Sequence, residues 1–256
     1  MMLAAIRQAP KHAKGAYAIT ATVGLPMSKS STAAGSFAVR WSTAHALAVI
    51  LAVAALASLR RPELLAWVAA LSFVAFLAGS KGEWSPSGRF GLANFVTSAR
   101  LSITGLLLFA PLGAPPALLG GIAVLILLLD VLDGWIARRL QLAGAFGARF
   151  DVESDAFFVM TLSVLLWIRG VTGPWILLAG LWRYVYLLAP IVFPTRAGEA
   201  PRSRLGRSIY VVMISCFVSA FVLPPELGVP SAALGTVAVS CSFLRSFWQR
   251  YRPAAP

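Results

Sequence analysis

Charge is scarce in this chain. Only 12% of its 256 residues are Asp, Glu, Lys or Arg, against about 25% in a typical soluble domain. With 59% hydrophobic residues and a mean hydropathy of +0.80, that shortage excludes an ordinary soluble globular protein. The two cysteines, Cys216 and Cys241, both lie in apolar runs, so no disulfide framework or thiolate metal spacing can be drawn. The two histidines, His12 and His45, have no ligand partner at useful spacing. No serine or cysteine nucleophile stands beside a credible base. Aspartate is missing everywhere except in one stretch, at Asp130, Asp133, Asp151 and Asp155.

What the chain does have is apolar runs, several of which reach the roughly 20 residues needed to cross a hydrocarbon core. The expected architecture is an all-α integral membrane protein. Its net charge of +13 sits between the apolar runs and at the chain ends. That pattern records orientation and contact with anionic headgroups. No basic, aromatic-laced soluble module is present, so nucleic acid is not expected as a partner.

Composition divides the chain into four parts. Residues 1–40 read as a flexible basic tail, with Met27 a candidate start. Residues 41–80 carry two hydrophobic helices joined by Arg60-Arg61-Pro62-Glu63, residues 81–93 an interfacial segment with Trp84, and residues 94–252 six further helices. Pro115-Pro116, Pro174, Pro194, Pro224-Pro225 and Pro230 punctuate them. With a cytoplasmic N-terminus, the loops holding Arg138, Arg139 and Arg149 and Arg196 to Arg207 fall inside, while Arg60, Arg61 and Arg169 fall outside. The Arg60-Arg61 pair leaves open a re-entrant or interfacial hairpin for the first two helices.

The aspartates sit between two strongly apolar segments. On a helix, Asp130 and Asp133 are three apart and share a face; Asp151 and Asp155, four apart, share one on the next helix. An antiparallel pair points both sets into one cleft. Like charges so close resist joint ionisation, and hard divalent cations, which prefer carboxylate oxygen and bridge to phosphates, are the natural neutraliser. Gly134 lets a ligand approach closely, Ala137 and Gly147 are small, and Arg138 offers a planar fork suited to a diphosphate. This chemistry points to a metal-dependent site for a phosphorylated, lipidic substrate.

The window Asp130-x2-Asp133-Gly134-x2-Ala137-Arg138-x8-Gly147-x3-Asp151-x3-Asp155 resembles, at all eight fixed positions, the signature of the CDP-alcohol phosphotransferase family. Asn94, Thr97 and Arg100 resemble the Asn-x2-Thr-x2-Arg that opens the family's first core helix. The resemblance covers Phe90 to about Tyr251. It implies a six-helix core preceded here by two additional hydrophobic helices, usually homodimeric, using two Mg2+ or Mn2+ ions. Such enzymes move a substituted phosphate from a CDP-linked donor to an alcohol and release CMP. By position, Asp130, Asp133 and Asp151 would be metal ligands. Asp155 would complete the second metal site and act as general base, and Asp130, Gly134, Ala137, Arg138 and Gly147 would contact the CDP moiety.

The expected activity is transfer of a phosphatidyl group from CDP-diacylglycerol to an alcohol in phospholipid synthesis, at the cytoplasmic side of a bacterial inner membrane. Arg183, in the middle of an apolar span, and Arg207, after Gly206, form a candidate basic pocket favouring glycerol 3-phosphate or inositol phosphate as acceptor. Arg100 suits either that pocket or an anchoring role. Glu153, on another helical face from Asp151, is expected to face solvent or a loop. The competing enzyme is a CDP-choline or CDP-ethanolamine phosphotransferase using diacylglycerol. A divalent-cation transporter is a further alternative, although no internal repeat is visible. An intramembrane prenyltransferase would need aspartate motifs in two separated segments.

Overall fold

The computed structural model describes residues 29–85, 88–139, 144–195 and 204–252, with side chains from residue 37 onward except those of 133–138 and 204. Among these residues there are eight α-helices and no strand: α1 Lys29–Leu59, α2 Glu63–Gly79, α3 Leu92–Leu107, α4 Pro116–Arg139, α5 Ala145–Ile168, α6 Leu177–Val192, α7 Arg204–Val222 and α8 Pro225–Tyr251. A 3-10 turn, Pro174–Ile176, leads into α6. The protein is an all-α integral membrane protein. α1 begins at Lys29, so the end of the segment expected as a tail is helix.

Among the described residues, four helices are long and apolar enough to cross a membrane: Phe37–Leu59, Pro174–Val192, Leu205–Val222 and Pro225–Tyr251. Glu63–Gly79 and Pro116–Leu132 are shorter apolar helices. α5 misses that description because of its charges, not its length. Its 24 residues extend about 36 Å, but the first half carries Asp151, Glu153 and Asp155.

α5 is the axis of the molecule. Every residue from 153 to 166 is buried, the pattern of a helix surrounded by others rather than lying on a surface. On one side α1, α2 and α6 enclose it with an aromatic cluster that includes Trp41, Phe73, Phe76, Phe150 and Phe157. On the other, α4, α7 and α8 pack Leu119, Ile126, Phe217 and Ala232 against Phe158 and Leu162. α6 crosses closely at Gly180, where an added Cβ would lie 2.7 Å from the Met160 Cα. Only glycine fits that approach.

The N-terminal hairpin runs beside this axis rather than across its end. Ser42 of α1 meets Glu153 near the start of α5, and the Arg60 guanidinium lies over the Trp167 ring, 5.1 Å from its centroid, near the end. α1 therefore runs in the same direction as α5 and over the same depth. Arg169 joins Arg60 at this end, donating to the carbonyls of Pro111, Leu112 and Ala114.

Pro230 does not punctuate the chain as expected; it lies inside α8. Pro225 occupies the first helical position, where a missing N–H loses nothing, and Gly228 N–H already bonds to the Pro224 carbonyl at 2.9 Å. Pro230 removes a single bond in the second turn, and packing of α8 on α7 tolerates it.

Candidate active site

Three of the four aspartates converge. Carboxylate oxygens of Asp130 on α4 and of Asp151 and Asp155 on α5 all lie within 4.8 Å of one another. Asp151 and Asp155, four apart, share one face of α5, and α3 packs against both α4 and α5. Asp133, Gly134, Ala137 and Arg138 belong to α4, but their side-chain surroundings lie outside the described residues.

Such a cluster is unstable alone. Two ionised carboxylates 4.8 Å apart repel by about 3.5 kcal/mol at an effective dielectric of ~20. The compensating charge comes from Arg100 on α3, whose side chain is 1% exposed. Its Nη1 lies 2.7 Å from Asp130 Oδ1 and 3.3 Å from Asp151 Oδ1, and its Nη2 donates to Asp155 Oδ1 at 2.6 Å. Each contact is worth more than one such repulsion, because the charges are closer. Arg100 thus joins the aspartates, not the basic pocket or an anchoring position.

The helix that delivers Arg100 explains the rest of the Asn-x2-Thr-x2-Arg pattern. Asn94, Thr97, Arg100 and Thr104 are the buried polar positions of α3, spaced three or four apart on one face. Asn94 donates to the Trp84 carbonyl at 2.8 Å, which ties the interfacial turn to the helix start. Gly147 of α5 sits against this residue. A Cβ there would come within 3.3 Å of Asn94 Oδ1, so the Asn94 amide would have to give by a few tenths of an ångström to admit it.

The aspartates open on a cavity of ≈ 940 Å³ between α4, α5, α6, α7 and α8. Asp130, Asp151 and Asp155 line one side; Arg183, Arg207 and Tyr210 also line it. A volume of this size accommodates a large ligand. The Tyr210 hydroxyl is buried and has no hydrogen-bond partner among the described residues. Tyr210 was not among the residues expected at the site, although it lies three residues after Arg207, on the same face of α7.

Glu153 corrects an expectation. It is fully buried, not solvated. It receives Arg183 Nη2 at 2.6 Å and Nε at 3.3 Å, and its Oε1 accepts from Ser42 at 3.3 Å. Being two positions from Asp151, it leaves the aspartate face of α5 and meets α1 and α6 instead. His45 also has a structural place: it is buried, stacked on Trp41 and bonded to Ser72 at 2.9 Å.

Three carboxylates share the Arg100 guanidinium. Clustered oxygen donors suit a hard divalent ion. None of the proteins of curated function is similar enough to the chain to match it. Residues 90–245, well over half the chain, match the profile of the CDP-alcohol phosphatidyltransferases, a family of generally metal-dependent enzymes that transfer substituted phosphate groups from CDP-alcohols in phospholipid synthesis. That chemistry sets aside the transporter and prenyltransferase alternatives. With the aspartate window inside the matched segment and the carboxylates of Asp130, Asp151 and Asp155 gathered at a cavity, the chain belongs to the CDP-alcohol phosphatidyltransferase family.

Proposed function

We propose that this protein transfers a phosphatidyl group from CDP-diacylglycerol to an alcohol that itself carries phosphate, such as glycerol 3-phosphate or inositol phosphate, and releases CMP. The observation that carries the proposal is the shared cavity, in which the carboxylates Asp130, Asp151 and Asp155 face the same space as Arg183 and Arg207. A donor diphosphate sits with the first set, and an anionic acceptor with the second.

The chain's own groups have distinct tasks. The acceptor hydroxyl attacks the distal phosphorus, the P–O bond to CMP breaks, and Asp155 takes the hydroxyl proton. Arg100 Nη2, 2.6 Å from Asp155 Oδ1, holds that carboxylate in place. Gly134, Ala137, Arg138 and Gly147 contact the CDP moiety, and Arg183 and Arg207 hold the acceptor phosphate. Asp130, Asp133, Asp151 and Asp155 would hold two Mg2+ or Mn2+ ions, which when bound supply charge stabilisation to the diphosphate. The active form is a homodimer in a bacterial inner membrane, with the site on the cytoplasmic side, away from the Arg60 and Arg169 end.

Reconstitution with CDP-diacylglycerol and magnesium, scanning alcohols for CMP, tests this. Release with a phosphorylated acceptor and a higher apparent KM for it in Arg183→Ala and Arg207→Ala are expected. Turnover only with serine or choline, or only with CDP-choline and diacylglycerol, would refute it.

A further inference from the structure

The function so far assigned leaves one buried charge unused. Glu153 lies within the aspartate window, at a spacing position where the family signature fixes no residue, yet its environment is highly organised. It is 0% exposed and accepts three hydrogen bonds from two other helices. The Arg183 contact is side-on, through Nε and Nη2. Two contacts of this kind set the plane of a guanidinium as well as its place. Arg183 keeps 14% of its side-chain surface exposed, and it lines the cavity that the aspartates share.

The arrangement extends to α1. Ser42, 1% exposed, donates to Glu153 Oε1 at 3.3 Å and accepts from Arg149 Nη1 at 3.0 Å. One hydroxyl can do both. The order is therefore Arg149 to Ser42 to Glu153, with Arg183 held on the far side. Ser42 belongs to a helix outside the segment that matches the family, residues 90–245. The N-terminal hairpin thus reaches into the support of a cavity arginine.

We propose that Glu153 is a positioning residue that orients Arg183 toward the acceptor, and that Ser42 makes the N-terminal hairpin part of that device. This rests on the acceptor role proposed above for Arg183. It follows physically that Arg183 does not act as an isolated cation. Glu153 cancels its charge, so it recognises the acceptor through directed N–H groups, and Arg207 supplies the net positive charge.

The test is steady-state CMP release by the full-length protein in vesicles, with glycerol 3-phosphate as probe, or whichever alcohol the wild-type protein uses. Glu153→Gln raises the acceptor KM about tenfold to hundredfold, the range for one hydrogen bond to a charged group. The KM for CDP-diacylglycerol stays within about twofold. Ser42→Ala raises acceptor KM by roughly threefold, because its bond to Glu153 is long at 3.3 Å and Glu153 keeps both contacts to Arg183. In an Arg183→Met background neither change has a further effect, because both act through Arg183.

A Glu153→Gln protein with unaltered acceptor KM overturns the inference while leaving the family chemistry intact. So does an equal rise in an Arg183→Met background. If Glu153→Gln does not fold, the Ser42→Ala pair decides by the same criteria. A wild-type protein that releases no CMP with any alcohol removes the proposed function, and this inference with it.

Discussion

Replacing Arg100 with methionine keeps an unbranched apolar stem and removes the guanidinium. Three carboxylates then lose the guanidinium they share. Removing one partner of a buried ion pair typically costs about 3–5 kcal/mol. Asp130 and Asp151 are 25% and 26% exposed, and water at those oxygens softens the loss, so about 3 kcal/mol is expected. For a chain of this size that is a fall of ~6–12 °C in apparent Tm. The assay is thermal unfolding in nanodiscs with EDTA, then with magnesium. The variant should melt well below wild type in EDTA. It should also recover more stability from magnesium than wild type gains, because a divalent ion takes over the missing positive charge. Equal melting in EDTA, with equal magnesium shifts, would refute the electrostatic account of the cluster.

Three further outcomes follow from individual contacts. Asp155→Asn should lower CMP release by at least about a hundredfold, the scale of a lost general base, with donor binding retained in a CDP-diacylglycerol binding assay. Gly180→Ala should destabilise the protein by about 1–3 kcal/mol in a denaturation assay, since the new methyl would sit 2.7 Å from the Met160 backbone and the α5–α6 packing must shift. Phe73→Ala empties the centre of the aromatic cluster around α5, where Phe73 is 1% exposed. It should cost about 3–5 kcal/mol in the same assay.

The aspartate window and the eight helices were legible because both depend on short spacing. Carboxylates three or four residues apart share a helix face wherever the helix packs, and apolar runs report their own length. What could not be read was which helix face meets which. Arg100 near a helix end looks like an anchor until α3 is known to lie against α5, 51 residues away along the chain. Glu153 looks solvated until α1 and α6 are seen to close over it, bringing Ser42 from 111 residues away and Arg183 from 30. Pro230 misled for a local reason: a proline early in a helix breaks one bond, and packing on α7 compensates. The side chains of Asp133 and Arg138, prominent in the sequence, lie outside the described residues, so their share of the site rests on the motif alone.

The central claim is that Asp130, Asp151 and Asp155 belong to one cluster that binds divalent cations. Electron paramagnetic resonance of purified protein titrated with Mn2+ tests it most directly. Saturable binding in the wild type, lost or weakened at least tenfold in Asp151→Asn, is predicted. Mn2+ binding that is absent from the wild type, or unchanged in Asp151→Asn, would contradict it.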